Sequence, residues 1–152
     1  MDADACPVRR ETERVARHFG VEVRYFANSS QVGIGKAGAH HRLVEGPDGA
    51  DFAILAVCSA RDVVVTDDVG LATIALSRGA AVISSRGKRY RNAEMATRLY
   101  LRHLARKARR AGFRTRGPAP FTHADRRSFA MALGEAIREK VGRRENTFSR
   151  VR

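Results

Sequence analysis

This chain of 152 residues has no tryptophan, three tyrosines and only two cysteines. Cys6 and Cys58 do not amount to a disulfide framework or a paired-cysteine metal motif, so we expect no disulfide partner. The longest apolar stretches are far shorter than the roughly 20 residues that cross a bilayer, so we expect no membrane association. No signal-peptide pattern precedes the charged opening at Met1 and Asp2, and we therefore expect a cytoplasmic location.

The chain is basic, with a formal net charge of +13, but the charge is unevenly distributed. Residues 1–85 carry nine basic and eleven acidic side chains, a net charge of −2, whereas residues 86–152 carry twenty and five, a net charge of +15. A hydrophobic content of 43% excludes a disordered chain. The asymmetry indicates a polyanionic partner such as a nucleic acid. The alternative is a coding bias toward arginine, because Arg outnumbers Lys 25 to 4.

The first part of the chain alternates between helical and strand patterns. Apolar spacing predicts helices over residues 7–19, 51–58 and 69–77, and alternation or β-branched runs predict strands over residues 21–26, 42–45, 62–66 and 80–83. Gly33–Gly38 matches Gly-x-Gly-x-x-Gly, but no strand directly precedes it, so we interpret residues 28–41 as a loop. Helices that alternate with strands predict an α/β fold with a mostly parallel sheet.

The second part is helical and basic. A helix of about twenty residues is predicted over 92–111, followed by a Pro- and Gly-containing connector over 112–121. Thr122 and Asp125 have the spacing of a capping box that opens a last helix. We therefore predict an α/β domain over residues 1–111, a connector and C-terminal helix packed on that domain over 112–141, and a mobile basic tail over 142–152.

Three pairs of aspartates follow strand positions. They are Asp2 with Asp4, Asp48 with Asp51, and Asp67 with Asp68. Ligands of open parallel sheets bind outside the carboxyl ends of the strands, so these carboxylates are expected to converge. Clustered carboxylates with hard oxygen ligands are typical of Mg²⁺ or Mn²⁺ sites. The alternative is that individual aspartates cap helices, a role that fits Asp51 and Asp62 well.

Several arginines are candidates for phosphate binding. Arg9 and Arg86 lie beside the predicted acidic face, where a guanidinium could hold a phosphate through two hydrogen bonds. Arg98, Arg102 and Arg106 recur every four residues and form a basic stripe on the predicted helix. The alternative for Arg9 and for the stripe is an ordinary solvated surface. Aromatic residues are sparse, which gives no support to sequence-specific base recognition.

The motifs along the chain resemble one protein family. The opening Asp2-Ala3-Asp4-Ala5-Cys6-Pro7-Val8 is similar to the signature of the YaiI/YqxD family of bacterial proteins. The resemblance continues through Asp62-Val63-Val64-Val65-Thr66 with Asp68, and through Gly117-Pro118 with Pro120-Phe121, to about Val141. It implies a PIN-like three-layer fold, a central, mostly parallel sheet flanked by helices, here with a basic C-terminal helical extension.

The resemblance also implies site residues. The acidic motif positions of the family correspond to Asp2, Asp4, Asp51 and Asp68, which would act as metal ligands and catalytic residues, while Asp67 stands at a variable position. PIN-like domains are typically Mg²⁺- or Mn²⁺-dependent ribonucleases. Family members usually carry a short first strand before the first aspartate, so the resemblance further implies that coding sequence precedes Met1.

The leading hypothesis is therefore a metal-dependent ribonuclease that hydrolyses RNA phosphodiesters. Asp2, Asp4, Asp51 and Asp68 would bind the metal, and Arg9 and Arg86 would position the phosphate. One alternative is a non-catalytic RNA- or ribosome-associated binding protein. A second is a metal-dependent hydrolase of a small phosphorylated metabolite. Fold alone does not separate them.

Overall fold

Helices and strands alternate through the first half of the protein, as the apolar pattern predicts. The computed structural model describes residues 1, 7–28, 40–44, 46, 48–113, 117 and 119–148. In chain order the elements are α1 (Arg9–Phe19), β1 (Arg24–Asn28), β2 (His40–Val44), α2 (Gly49–Val57), β3 (Val63–Val65), α3 (Val69–Ser77), β4 (Ala81–Ile83), α4 (Asn92–Arg110) and α5 (His123–Phe148). The predicted α/β class is confirmed. The aspartates at positions 2 and 4 and the Gly33–Gly38 motif lie outside the described residues.

The described strands form two parallel pairs. β1 pairs with β2 from Arg24 opposite His40 to Asn28 opposite Val44, and β3 pairs with β4 from Val63 opposite Ala81 to Val65 opposite Ile83. Parallel pairing requires a crossover between the strands, and α3 supplies it for β3 and β4. As a result, the carboxyl ends of paired strands lie at the same edge. This is the arrangement in which aspartates that directly follow strands can lie close together.

Helices cover both faces of the β3–β4 pair. Val64 and Val82 belong to one buried cluster, together with Ile54 of α2, Leu71 of α3 and Met95 of α4. The neighbouring positions Val65, Ala81 and Ile83 belong to a second cluster, together with Phe129, Leu133 and Ile137 of α5. Successive strand residues point to opposite faces, so each face of these short strands has its own core. This explains the β-branched, non-alternating composition of β3.

Met1 lies beside β1 and continues the parallel pattern. Its amino group donates to the carbonyl oxygen of Arg24 at 2.7 Å, and its own carbonyl accepts from the amide of Phe26 at 3.0 Å. A cavity of about 490 Å³ adjoins Met1. Its wall includes Met1, residues 20–24 at the start of β1 and before it, and residues of β3 and α5. Val63, Val65, Leu133 and Ile137 contribute apolar walls.

Most element boundaries differ from the predicted ones by one or two residues, and β2 begins at His40, inside the segment 28–41 that was predicted to be a loop. The two largest differences are at β1 and α5. β1 begins at Arg24 rather than at Val21, because Val21 still belongs to the end of α1: its amide donates to the carbonyl of Ala16, while Gly20 adopts φ 63°. The last helix, α5, continues to Phe148, seven residues beyond the predicted end at Val141. Gly142 does not stop it, since a single glycine costs a helix only about 1 kcal/mol and good helix formers follow.

The connector and α5 are held against the rest of the protein by specific contacts. Thr122 and Asp125 form the predicted capping box, in which the Asp125 carboxylate accepts from the Thr122 amide at 2.7 Å and Thr122 Oγ1 accepts from the Asp125 amide at 3.2 Å. Arg126 then donates to the Pro7 carbonyl at 2.7 Å. Gly87, at φ 79°, passes so close to α5 that a Cβ there would lie 2.6 Å from the backbone of Ser128. α5 therefore packs directly on the α/β layer.

The described part of the chain contains no helix long and apolar enough to cross a membrane. Cys58 is a free thiol.

Candidate active site

The turn between β3 and α3 places Asp68 at the start of a helix. Asp68 is the N-cap of α3, and its Oδ1 accepts from the amides of Gly70 at 2.6 Å and Leu71 at 3.0 Å. Its own amide donates to Oγ1 of the buried Thr66 at 3.0 Å. The sequence folds this way because an aspartate directly after a buried strand satisfies the first free amides of the following helix.

Asp68 also forms an ion pair with a residue 34 positions later. Arg102, on α4, donates from Nη1 to Oδ1 at 2.9 Å and from Nη2 to Oδ2 at 2.8 Å. This two-pronged contact is the strongest geometry available between a guanidinium and a carboxylate. It joins α4 to the N-terminus of α3.

These contacts shift the acidity of Asp68. Partial burial acts to raise the pKa of its carboxyl group, but the hydrogen bonds from Arg102 and from the Leu71 and Gly70 amides outweigh burial. The pKa of Asp68 therefore lies below its ordinary value, and the group is ionised at neutral pH. Arg102 responds in the opposite sense: the hydrogen bond with Asp68 raises its pKa, and the charge of Asp51 raises it further.

A cavity of about 430 Å³ opens beside this ion pair. α2 contributes Asp48, Asp51 and Phe52 to its wall, α3 contributes Asp68 and Gly70, and α4 contributes Leu99, Arg102, His103 and Arg106. Three carboxylates and two guanidiniums therefore face one space. Carboxylates can attract a cation, and guanidiniums can attract a phosphate.

Asp48 and Asp51 reach the cavity from the first turn of α2. Asp48 stands at the N-cap position, but its side chain makes no capping hydrogen bond, and Asp51 lies within the first turn. The N-cap residue of α2 is therefore Asp48 and not Asp51. Both carboxylates are therefore close to the N-terminal end of α2.

The chemistry of the donors suits a hard divalent cation, since carboxylate oxygens are the ligands that Mg²⁺ and Mn²⁺ prefer. Within the described residues, however, no three His, Cys, Asp or Glu side chains are grouped closely enough to hold a metal ion. Asp51 and Asp68 line one cavity, while Asp2 and Asp4, the other two predicted ligands, lie outside the described residues. The structure therefore brings two of the four predicted ligands to one cavity.

The basic stripe on α4 divides between two roles. Arg102 and Arg106 line the cavity. Arg98 lies next to Glu94, 3.2 Å away, and stacks 5.1 Å over the ring of Tyr90. Arg106 forms no ion pair with any residue that the structure describes. Of the three, Arg106 is therefore the most available for an incoming anion.

The other two predicted phosphate ligands hold structural contacts. Arg86 donates to Asp125 at 2.9 Å and to the carbonyl of Ala119, and it lies 5.3 Å over the ring of Phe121. Arg9 pairs with Glu13 at 3.0 Å and lies 4.8 Å over the ring of Tyr25. Neither residue lines the cavity. Arg86 therefore holds the connector against the rest of the protein. Only the tertiary structure shows this role, because the contacts of Arg86 lie more than 30 residues away in the chain.

Two further aspartates have structural partners. Asp67 accepts from the amide of Ser85 at 3.0 Å and so joins the ends of β3 and β4. Asp62, at the opposite end of β3, accepts from the Ser59 amide and hydroxyl, both at 2.7 Å. Asp62 thus closes the turn between α2 and β3, rather than capping a helix as considered from the sequence.

Sequence reasoning did not identify Phe52, Gly70 or His103 as site residues. Phe52 is 71% exposed at the cavity. A Cβ at Gly70 would lie 2.9 Å from Oδ1 of Asp68, so this position leaves room for the carboxylate. The sequence did carry a signal for Gly70, because glycine is unfavourable within a helix and its presence two residues after a capping aspartate indicates a need for space. Phe52 and His103 carried no local signal.

The comparisons with known proteins agree on one family. The model of the family described as "Uncharacterized BCR, YaiI/YqxD family" matches residues 1–139. The chain belongs to the YaiI/YqxD family. The resemblance identified from the motifs is thereby confirmed over nearly the whole chain.

Relatives within this family come from several bacteria. The UPF0178 protein of Listeria monocytogenes serotype 4b (strain CLIP80459) is 35% identical over 141 residues, covering 92% of this chain and 97% of that protein. The UPF0178 protein of Shouchella clausii is 38% identical over 144 residues, covering 94% and 93%. That of Clostridium acetobutylicum is 37% identical over 140 residues, covering 90% and 94%. No solved structure matches the chain significantly.

Proposed function

We propose that this YaiI/YqxD protein is a PIN-like, metal-dependent ribonuclease that hydrolyses phosphodiester bonds in RNA. One observation carries the proposal: Asp51 and Asp68 face the same cavity as Arg102 and Arg106. Carboxylates for a cation and guanidiniums for a phosphate are what such a reaction requires in one place. The helices on both faces of parallel strands are compatible with the three-layer PIN-like arrangement.

The residues of the chain would divide the work as follows. Asp51 and Asp68, with Asp2 and Asp4, would hold Mg²⁺ or Mn²⁺. When bound, such an ion activates water and stabilises charge on the phosphate. Arg106 would hold a phosphate oxygen, since it lines the cavity without an ion pair among the described residues. Hydrolysis consumes one water: a new P–O bond forms, the bond to the leaving oxygen breaks, and that oxygen takes up a proton.

An apolar rim favours a nucleotide over a small phosphorylated metabolite. Phe52, Ile74 and Leu99 line the cavity and are 71%, 45% and 39% exposed, respectively. Exposed apolar side chains beside a phosphate site suit a nucleobase, and stacking of a base on an aromatic ring is worth about 1–3 kcal/mol. Bases are accessible for such contact in single-stranded RNA. We therefore propose unpaired RNA as the substrate.

The test is cleavage of a fluorescent single-stranded RNA in the presence of Mn²⁺. Asp68→Asn and Asp51→Asn should each lower the rate at least tenfold. Asp62→Asn is the matched control, because Asp62 is also an aspartate next to β3 but lies at its other end and contacts Ser59; it should retain cleavage. Cleavage that survives equally in all three variants would show a contaminating nuclease and contradict the proposal.

The other outcomes discriminate between the alternatives. RNA that is bound tightly but left intact, with or without Mn²⁺, would favour the non-catalytic binding protein. Release of inorganic phosphate from mononucleotides without cleavage of the oligonucleotide would favour the metabolite hydrolase. Phe52→Ala should weaken binding of a short RNA about fivefold or more, whereas Phe113→Ala, at an equally exposed phenylalanine that does not line the cavity, should not.

A further inference from the structure

We propose that Arg102 and a divalent cation bind Asp68 in mutually exclusive fashion. In the protein without metal, the Arg102 guanidinium takes the place of the cation. When the cation binds, it releases the guanidinium, which then holds the phosphate of the substrate. This inference rests on the proposed function, because it assigns a role to Arg102 at the same site.

The hydrogen bonds of the Asp68 carboxylate show why the two compete. Oδ1 accepts from the Gly70 amide, the Leu71 amide and Arg102 Nη1, while Oδ2 accepts from Arg102 Nη2. The two amides belong to the backbone of α3 and stay in place. The lone pairs of Oδ2 are therefore the ones on which a cation would coordinate, and Arg102 covers that oxygen at 2.8 Å. Arg102 occupies one lone pair of Oδ2 and holds a positive charge beside it, so a cation that coordinates this oxygen is repelled by the guanidinium unless the guanidinium moves away.

The ion pair is placed so that it can open. The side chains of Arg102 and Asp68 are 39% and 31% exposed, and ion pairs with that much solvent contact contribute little net stability. Arg102 is fixed to α4 and only its long side chain reaches Asp68, so release needs rotation about side-chain bonds and no movement of the helix. A divalent cation, with twice the charge, offers Asp68 a stronger partner.

A released guanidinium has a second position within reach. The cavity of about 430 Å³ lies beside the pair, and Arg106, one helical turn further along α4, lines it together with His103. Two arginines four residues apart on one helix face lie side by side. Planar guanidiniums hold phosphate through paired hydrogen bonds. Arg102 would thus become a positioning residue for the phosphate only after metal has bound.

The first test measures Mn²⁺ binding by isothermal titration calorimetry and by the electron paramagnetic resonance signal of free Mn²⁺, without RNA. Arg102→Gln should bind Mn²⁺ at least fivefold more tightly than the unaltered protein. Arg106→Gln is the matched control, because it removes the same charge from the same cavity wall without touching Asp68; its gain should be smaller. Arg102→Lys should fall between, since lysine keeps the charge without the two-pronged contact.

The outcomes separate this inference from the proposed function. If Mn²⁺ binds in a manner that Asp68→Asn abolishes, but Arg102→Gln gains no more than Arg106→Gln, the competition is overturned and the metal site stands. If no variant binds Mn²⁺ at a site that depends on Asp68, the metal-dependent function itself fails. A folded state for each variant is verified by circular dichroism and thermal unfolding.

The second test measures RNA affinity by fluorescence anisotropy with and without Mn²⁺, with the oligonucleotide checked for integrity on a gel. Without Mn²⁺, Arg102→Gln should change the affinity less than twofold, because Arg102 is engaged with Asp68. With saturating Mn²⁺, the same substitution should weaken binding at least fivefold. Arg106→Gln should weaken binding under both conditions. An effect of Arg102→Gln that is equal with and without Mn²⁺ would overturn the release step.

Discussion

Arg102 on α4 contacts both carboxylate oxygens of Asp68, at 2.9 and 2.8 Å, although 34 residues separate them in the chain. The same carboxylate caps α3 through the amides of Gly70 and Leu71. Asp68 therefore serves the helix, the ion pair and the cavity at once. Its substitutions should therefore affect stability and function to different degrees.

Asp68→Ala should destabilise the protein more than Asp68→Asn does. Alanine removes the cap and the ion pair together, and loss of a cap typically costs about 0.5–2 kcal/mol. Asparagine still caps a helix well. It loses only the charge–charge interaction with Arg102, which at this exposure is worth about 0–1 kcal/mol. Urea denaturation of the three proteins measures the difference. Equal free energies of unfolding for the two variants would contradict the capping role.

The contribution of Asp68 to stability should depend on pH in one direction. Its pKa in the folded protein is below the ordinary value, so the folded state favours the ionised form and this stabilisation is fully present above the unfolded-state pKa of about 3.9. It is lost as the pH falls through the folded-state value. The difference in unfolding free energy between the protein and Asp68→Asn should be constant from pH 7 to about pH 5 and should shrink below about pH 4. A difference that grew on acidification would contradict this sign.

Gly70→Ala should disturb the site rather than the helix. Alanine is ordinarily the better helix residue by about 1 kcal/mol, but its Cβ would lie 2.9 Å from Oδ1 of Asp68. The carboxylate must then move away from the Leu71 amide and from Arg102. We expect lower thermal stability and weaker Mn²⁺ binding despite the higher helix propensity. Gly142→Ala, where no atom lies within 4 Å of the added Cβ, is the control and should not destabilise the protein.

Arg86 and Arg106 should differ in what their loss affects. Arg86→Ala removes contacts with Asp125, Ala119 and Phe121, so it should cost about 1 kcal/mol of stability by loosening the connector. Arg106→Ala should leave stability unchanged within about 0.5 kcal/mol. It should instead weaken RNA binding. The slope of the logarithm of RNA affinity against the logarithm of salt concentration should become smaller by about one. Thermal unfolding and salt titrations of RNA binding measure the two effects, and a reversed pattern would restore Arg86 as a phosphate ligand.

The cavity beside Met1 should accept an added strand. The backbone carbonyl of Asp62 and the backbone amide of Thr66 form hydrogen bonds with β4. Because the backbone groups of successive strand residues point to alternate sides, those of Val63 and Val65 point away from β4. Four β-branched residues fused ahead of Met1 should therefore raise the free energy of unfolding by about 2 kcal/mol through apolar burial. Fusion of four Gly and Ser residues is the control, and equal melting temperatures for the two would contradict the prediction.

The predictable parts of this fold were those that depend on near neighbours in the chain. The helix of α3 lies at the predicted residues 69–77, because an apolar helical pattern follows a capping aspartate and ends near a glycine. The capping box of Thr122 and Asp125 was equally local. The end of α5 was not predictable in this way, because the boundary depends on a balance of small propensity differences around Gly142.

The amino-acid sequence by itself determined the alternation of helices and strands, the position of Asp68 after a buried strand, and the concentration of positive charge in the second part of the chain. The tertiary structure decided which charges meet. It paired Arg102 with Asp68 and placed Arg106 at the cavity, and it tied Arg86 to the connector. The physical reason is range: caps and amphipathic spacing act within a few residues, whereas these ion pairs join residues 34 and 39 positions apart, and only the packing of α4 and α5 brings them together.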